Sequence, residues 1–391
     1  MYDKASLALI PSGNKASKLY SVLPANGNGD FNATRGSTAT RVNKDGLIES
    51  VADDVPRLDY SNNADCPHLL LEPQSTNLVT DSSGGLYGNN PASEILTNAP
   101  DGTNTAVRPV PDSNSDRYEY NISGNTYSTD SKITYSWYRK RISTPNSTAY
   151  TGDLFFNILV NCTQIGSTTQ IATNINGYDR FSATFNITDG SQLTRVRAYF
   201  GSIIGVGNSS IAYWGHQLEA LGYSTTLIPT SGSTVTRSAD DCNSAGTSAE
   251  FNDSEGVLFA EIAALANDGT NRRIAIPNTG FTALHRLEYF TTDNVINAVT
   301  YVSPSNQVVL SHTLSNVTQF VKIAYKYKTG DFALWVNGVE VGSSVSGNLP
   351  TGLTKLNFDN GSGSNDFYGK CKQLIYFNEA LSDSELQTLT S

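Results

Sequence analysis

Two adjacent segments near residue 330 constrain the fold of this sequence more than any other feature. Apolar residues in the first segment, 320–328, recur with a period of two and share one face of a β-strand: Val321, Ile323, Tyr325 and Tyr327. The second segment, DFALWVNGVEVG at 331–342, continues the alternation, and its Asn337 and Gly338 supply the positive φ angles of a type I′ turn. The two segments therefore predict an antiparallel β-hairpin beside a half-buried strand.

The composition extends this prediction to the rest of the chain. Only 16% of the residues are charged, against about 25% in an average globular protein. Good helix formers are scarce beside Thr, Tyr, Phe, Val, Asn and 32 Gly. Strand-like segments separated by turn residues recur at 133–140, 154–160, 180–187, 194–200 and 211–218. We expect an all-β protein in which two antiparallel β-sandwiches follow an extended N-terminal region.

Turn-rich joints at 81–90 and 229–246 divide the chain into three regions. Residues 1–75 contain only short apolar stretches, so this region cannot close a core of its own and is expected to lie against the next domain or a partner. Residues 76–236 and residues 247–391 are each long enough to form a β-sandwich.

One short helix is expected at the C-terminus. In the segment ALSDSELQTLT, Ser382 is the N-cap residue and Glu385 completes a capping box. Leu381 and Leu386 form the hydrophobic staple of the same helix start. We expect this helix to plug an edge of the last sandwich.

The charge distribution excludes several classes of partner. Lys and Arg total 26, Asp and Glu total 36, and no basic cluster interrupts the formal net charge of −10. Phosphate binding requires a localised positive surface, so nucleic acid is not an expected partner. No apolar run approaches the roughly 18 residues that span a bilayer, so membrane insertion is not expected. The apolar stretch 7–11 is too short for a secretory signal, so we expect no export by such a signal.

The sequence carries no motif for a metal, a cofactor or catalysis. Cys66, Cys162, Cys242 and Cys371 lie far apart, without a CxxC pair or a histidine spaced for zinc, and are expected to be free thiols. The motifs GxSxG, HExxH and GxxxxGK[ST] are absent. We therefore expect a protein that is not an enzyme and that needs no cofactor and no metal.

A glycan-cleaving enzyme is the main catalytic alternative. Glycoside hydrolysis uses two carboxylates about 5 to 10 Å apart across the scissile bond. The nearest acidic group, Glu250, Asp253 and Glu255, lies in an apparent entry loop with a different spacing from that of a strand-borne pair. Solvated loop acids are the favoured interpretation of these residues.

Several segments resemble known families. The strand 257–262, the LWVNGVEV hairpin and the terminal FYGKCKQLIYFNEALSDSEL together resemble the laminin G-like, concanavalin A-type lectin/glucanase domain over residues 247–391. The run IAYWGHQLEALGYSTTLIPTSGSTVTRSADDC resembles the last strand and exit of carbohydrate-binding-module-like jelly rolls in bacteriophage virion proteins. The opening 1–75 is similar to the N-terminal region of the same phage and prophage proteins.

The resemblance implies a fibre, spike or decoration component of a virion, on the head or the tail. The expected function is binding of host cell-surface glycans without catalysis, with residues 1–75 contacting other virion structural proteins. Because weak glycan contacts gain from avidity, we expect a homo-oligomer, a trimer, synthesised in the host cytoplasm and displayed on the virion surface. A purely structural decoration protein without a ligand and a glycan depolymerase remain the alternatives.

Sugar binding requires an exposed aromatic ring beside planar polar groups. Trp335 is the candidate ring, because the alternation places it opposite the core-facing Phe332, Leu334 and Val336. A Trp335 covered by a neighbouring domain or subunit is the open alternative. The candidate rim groups are Arg272, Arg273, Asp359 and Asn360. A calcium site at Asp359 and Asp366 is not predicted, because no D-x-D-x-D-G signature is present.

Overall fold

The computed structural model describes residues 2–61, 65–83, 93–110, 117–121, 127–141, 155–156, 162–189, 195–199 and 211–391. Antiparallel strands, a short 3₁₀-helix at Tyr2–Lys4 and one α-helix make up the regular structure of these residues. The all-β prediction is therefore confirmed. In the same described ranges, no helix combines the length and the apolar character that crossing a membrane requires.

The strands of the N-terminal region are short. They are β1 (Leu7–Leu9), β2 (Asn14–Lys15), β3 (Lys18–Leu19), β4 (Phe31–Thr34), β5 (Ala39–Val42), β6 (Ile48–Val51), β7 (Arg57–Asp59), β8 (His68–Leu71) and β9 (Ser75–Asn77). The middle region contains β10 (Ser93–Thr97), β11 (Ala106–Val110), β12 (Arg117–Asn121), β13 (Lys132–Arg141), β14 (Phe155–Phe156), β15 (Cys162–Ile175), β16 (Tyr178–Ile187), β17 (Arg195–Tyr199) and β18 (Ile211–Glu219).

The C-terminal part of the chain carries the longest continuous set of described strands. They are β19 (Val235–Arg237), β20 (Asp241–Asn243), β21 (Glu255–Ala264), β22 (Arg272–Pro277), β23 (Ala283–Tyr289), β24 (Val295–Val302), β25 (Ser305–Thr313), β26 (Val321–Lys328), β27 (Phe332–Val336), β28 (Val339–Ser344) and β29 (Gly369–Phe377). The helix α1 (Asp383–Thr390) follows them.

Two sheets form the C-terminal sandwich. One has the order β28-β27-β26-β21-β29-β8-β7, with β1 also paired to β29, and the other has the order β22-β23-β24-β25. Alternate residues of both sheets point into a shared core, which includes Leu258, Ile274, Leu287, Tyr325 and Leu374. The strand predicted at 320–328 and its inward-facing residues are confirmed by β26.

The N-terminal region completes this sandwich. Leu7 of β1 pairs with Tyr376, and Leu71 of β8 pairs with Gly369, so both strands hydrogen-bond to β29. Leu69 and Leu71 are buried in the same core. A region too poor in apolar residues to form its own core thus contributes strands to the last domain of the chain. The boundaries 1–75, 76–236 and 247–391 remain a prediction.

The middle region contains a six-stranded sheet in the order β10-β11-β18-β13-β16-β15 and a three-stranded sheet in the order β12-β17-β14. The core beside the larger sheet includes Tyr135, Trp137, Phe181 and Phe185. Of the strand predicted at 154–160, only Phe155–Phe156 lies among the described residues.

The predicted hairpin and helix start are both confirmed. Asn337 and Gly338 have φ angles of 46° and 83° and join β27 to β28, with Val336 opposite Val339. At the start of α1, the backbone N–H of Ser382 donates to Glu385 Oε2 over 2.9 Å, as the capping box requires.

A buried ionic network joins the N-terminal region to the linker before β20. Glu72 Oε2 lies 2.7 Å from Arg57 Nη1 and 2.6 Å from Arg237 Nη1. Asp240 pairs with Arg57 and lies 2.9 Å from Arg35 Nη1. All five side chains are buried. The network therefore fixes the end of the middle region against the strands that complete the C-terminal sandwich.

Candidate functional site

Trp335 is buried, which corrects the expectation of an exposed aromatic ring. Its exposed fraction is 7%, and it packs in one cluster with Leu386 and Leu389 of α1. The alternation correctly placed Trp335 on the face opposite the sandwich core. The C-terminal helix then covers that face, so the ring is shielded by its own chain and cannot stack on a sugar in this arrangement.

Arg272 is also buried rather than placed at a rim. Its guanidinium makes a two-pronged ion pair with Asp268, with Nη1 to Oδ1 at 2.9 Å and Nη2 to Oδ2 at 3.0 Å. Such a pair uses the guanidinium fork that a ligand would need. Arg272 therefore anchors the loop before β22. This burial corrects the prediction that Arg272 lies at the rim of a binding site.

Asp359 and Asn360 hold a loop together. The buried Asp359 carboxylate accepts the backbone N–H of Gly361, and burial is the main cause that raises its pKa, with Asp366 adding to the effect. Asn360 Oδ1 accepts the Ser362 N–H over 2.9 Å. Both side chains thus hydrogen-bond within the loop beside β22, and their predicted contact with a ligand stays a prediction. The described residues contain no group of three or more His, Cys, Asp or Glu able to hold a metal.

Arg273 behaves differently, because it lies on the outer face of the four-stranded sheet. Ile274 and Leu287 point into the core, so the alternate positions Arg273 and Glu288 point outward. The strand register places the outward residues in two neighbouring rows across the sheet. One row is Arg273, Glu288, Asn297 and Ser311, and the next is Ala275, Arg286, Val299 and Val309.

Four of these residues form a polar group that we call the outer-face cluster: Arg273, Arg286, Glu288 and Asn297. Glu288 Oε2 accepts from Arg273 Nε over 2.7 Å and from Arg286 Nε over 2.8 Å. Glu288 Oε1 accepts from Asn297 Nδ2 over 3.3 Å. Glu288 and Asn297 are buried, whereas the Arg273 and Arg286 side chains keep 18% and 12% of their surface exposed. The buried carboxylate therefore orients two partly exposed guanidinium groups.

The cluster retains unused hydrogen-bonding groups. Neither Arg273 nor Arg286 donates from its terminal Nη atoms to a residue that the structure describes. Asn297 Oδ1 is buried and has no hydrogen-bond partner in the same part of the chain. Two arginines and one glutamate also give the cluster one formal positive charge. The cluster can thus donate several hydrogen bonds to a ligand through the Nη atoms of Arg273 and Arg286.

Exposed aromatic rings lie at both ends of β23. Phe290 continues the outward alternation of Arg286 and Glu288 and is 39% exposed. Phe281 lies in the hairpin before β23, is 41% exposed and has a φ of 55°. Lys355 Nζ lies 5.4 Å from the centroid of the Phe281 ring. Phe290 therefore lies two positions beyond Glu288 on the same strand face, whereas Phe281 lies five positions before Arg286 at the other end of the strand.

Sequence reasoning named only one member of the outer-face cluster. Arg286, Glu288 and Asn297 were missed, although the order Leu-His-Arg-Leu-Glu-Tyr-Phe over 284–290 shows that Arg286 and Glu288 share a strand face. Asn297 gave no such signal, since its place beside Glu288 depends on the register between β23 and β24.

The loop acids considered for catalysis have structural contacts. Glu250 is buried and accepts the Thr247 N–H over 2.7 Å, which corrects its expected solvation. Asp253 accepts the Gly352 N–H over 2.7 Å, and Glu255 lies 2.8 Å from Lys328 Nζ. These carboxylates hold loops and a strand end.

No protein-family model and no curated protein matches the chain. Among solved structures, it is similar to the CBM40 domain of a Ruminococcus gnavus IT-sialidase, at 13% identity and a TM-score of 0.31, over 36% of this chain and 84% of that one. Sheep galectin-11 aligns at 11% identity and a TM-score of 0.22, over 31% and 85% of the two chains. Domains LG4-5 of the mouse laminin alpha1 chain align at 9% identity and a TM-score of 0.25, over 69% and 90%. TM-scores this low support no functional assignment.

Proposed function

We propose that this chain is a non-enzymatic bacteriophage virion protein that binds host cell-surface glycans through the outer face of the four-stranded sheet. The observation that carries the glycan part is the outer-face cluster with the exposed ring of Phe290 two positions beyond Glu288 on the same strand face. Guanidinium and amide groups bind sugar hydroxyls in their own plane, and an exposed ring packs against the apolar face of a pyranose. The face needs no metal and no cofactor for this role.

The virion part of the proposal is supported by the sequence resemblance over nearly the whole chain. In this proposal, the protein is synthesised in the host cytoplasm and displayed on the virion surface as a trimeric fibre, spike or decoration component. Tyr20 and Val22 in the N-terminal region are exposed and apolar, and they are candidate contacts to other virion proteins. The absence of catalysis is part of the proposal, supported by the structural contacts of Glu250 and Asp253.

Glycan binding is tested with the full-length chain, because a fragment that starts at residue 76 would lack β1, β7 and β8 of the C-terminal sheet. Binding to a mixed glycan array and to bacterial cells is compared with that of Phe290→Ala. Loss of ring stacking worth about 1 to 2 kcal/mol should weaken binding about tenfold. Tyr20→Ala, a similarly exposed ring in the N-terminal region, is the matched control and should bind as the unmodified protein does.

Binding to no glycan and to no cell would refute the glycan part. Release of reducing ends from bacterial polysaccharide would replace it with a depolymerase. Imaging of virions with an antibody against residues 247–391 tests the proposal that the chain is a virion protein. Label at the tail tip favours receptor recognition, label over the capsid favours a head fibre or decoration protein, and no label on the virion refutes the assignment.

A further inference from the structure

The outer-face cluster is more than a neutral hydrogen-bonding surface, because its charges do not balance. Glu288 is the one carboxylate in the cluster, and its two oxygens already accept from Arg273, Arg286 and Asn297. Outward neighbours in the adjoining row, Ala275 and Val299, are uncharged. These four residues therefore carry one formal positive charge in a chain whose formal net charge is −10.

Asp366 is a further carboxylate on this side of β22, and it hydrogen-bonds to a tyrosine. Asp366 lies on the segment that bridges to Arg273 through the backbone, and Asp366 Oδ2 accepts the Tyr368 hydroxyl over 2.8 Å. Asp366 makes no hydrogen bond or ion pair to Arg273 within the described residues. Asp366 therefore leaves the Nη donors of Arg273 unoccupied, while its negative charge lies on the segment next to Arg273.

The arginines are also pre-oriented. Each guanidinium has five N–H donors, and Glu288 uses only the one on Nε, so the paired Nη groups remain for a ligand. Because Glu288 is buried and bound to both arginines, the two forks are held in place before any ligand arrives. A carboxylate fits such a fork with two parallel hydrogen bonds, which a single point charge cannot reproduce.

We propose that the glycan bound by this face is acidic, with a sugar carboxylate held between Arg273 and Arg286. This inference rests on the proposed glycan binding and names its substrate class. The carboxylate is the acceptor for the Nη donors of the two partly exposed arginines. A uronic acid and a sialic acid both provide this chemistry, and they are the two sources that the experiment distinguishes.

The test measures the affinity of the full-length protein for matched acidic and neutral oligosaccharides by calorimetry. The pairs are 3′-sialyllactose against lactose and tetragalacturonate against cellotetraose. At least one acidic member should bind about tenfold or more tightly than its neutral partner, since a charge-assisted pair of hydrogen bonds is gained. The acidic member that binds identifies the source of the carboxylate.

Single substitutions assign the preference to the cluster. Arg273→Gln and Arg286→Gln each leave one arginine to pair with Glu288, so each variant should fold, as circular dichroism checks. Each should lower the affinity for the acidic sugar about tenfold and the affinity for the neutral sugar by clearly less, because only the acidic sugar loses a charge-assisted pair of hydrogen bonds. Arg41→Gln, which removes a surface arginine paired with Glu49, is the matched control and should change neither affinity.

The double variant Arg273→Lys/Arg286→Lys keeps the charge and the pairing with Glu288 but loses the forks. This variant should lose the preference for the acidic sugar. If it keeps the preference, charge alone attracts the carboxylate, and the inference that two guanidinium forks bind it is wrong. Equal affinity for acidic and neutral sugars would overturn the inference and leave glycan binding intact. An acidic preference that neither Gln variant reduces would place the site elsewhere and also overturn it. Binding of no sugar at all would refute the proposed function itself.

Discussion

The substitution Glu72→Gln removes one of the two carboxylates in the buried ionic network. The unmodified network contains Arg35, Arg57 and Arg237 against Glu72 and Asp240. After the substitution, three buried guanidinium groups face a single carboxylate. The new amide nitrogen of residue 72 would also point donors at arginine donors, in a place where water cannot separate them.

Two arguments give the expected loss in the free energy of unfolding for Glu72→Gln. Burial by itself raises the pKa of Glu72, but Arg237 and Arg57 outweigh burial and lower the pKa from 4.5 to about 2. That difference corresponds to roughly 3 kcal/mol of interaction with the ionised carboxylate. Removing one partner of a buried ion pair typically costs about 3 to 5 kcal/mol. We therefore expect the free energy of unfolding to fall by about 3 to 5 kcal/mol.

Urea unfolding at neutral pH, followed by circular dichroism, measures this loss. Glu49→Gln is the matched control, because Glu49 also pairs with an arginine, Arg41, but its side chain is 37% exposed. A surface pair of this kind contributes about 1 kcal/mol or less. If Glu72→Gln destabilises the protein no more than Glu49→Gln does, the network does not hold the two regions together and the reasoning fails.

The same network predicts a pH dependence. The folded pKa of Glu72 lies below its unfolded value, so the stabilisation is fully present above about pH 4.5 and is lost as the pH falls toward about 2. The stability difference between the unmodified protein and Glu72→Gln should therefore shrink over this window. A difference that stays constant down to about pH 2 would contradict the ionised, paired state of Glu72.

Three further predictions address other buried groups. Leu386→Ala should cost about 2 to 5 kcal/mol and shift tryptophan emission to longer wavelength, because it opens the cover over Trp335; unchanged emission would speak against that cover. Burial lowers the pKa of His285 to about 3, so its ring signals in nuclear magnetic resonance should not titrate between about pH 5 and 8, and a midpoint near 6.5 would disprove this environment. Cys66 is exposed and should react with a thiol reagent in the native protein. Cys371 is buried, and because burial raises the pKa of its thiol, it should react only after unfolding. Equal reaction rates of the two thiols would contradict the fold around β29.

Features specified by neighbouring residues were predictable. The hairpin at Asn337 and Gly338 follows from turn chemistry, and the inward face of β26 follows from the period of the strand. The start of α1 follows from Ser382 and Glu385, which lie three positions apart. Each of these signals acts over fewer than about ten residues, so the sequence contains all of the information that the structure then uses.

Features that depend on distant partners were not predictable in the same way. No local signal tells that Leu7 pairs with Tyr376, or that β8 extends a sheet whose other strands lie at the far end of the chain. The burial of Trp335 is of the same kind. Alternation assigned its face, but only the docking of α1 decides whether that face meets water.

The candidate site likewise has features that depend on neighbouring residues and features that depend on distant partners. The sequence by itself determined an all-β chain, and its order over 284–290 puts Arg286 and Glu288 on one strand face, because backbone geometry fixes which alternate residues lie together. The tertiary structure decided that β22, β23 and β24 align with Arg273, Glu288 and Asn297 in one row. It also decided that Arg272 turns to Asp268 while Arg273 faces outward. Strand register is set by the packing of a whole sheet against its core, and that balance is not contained in any single segment.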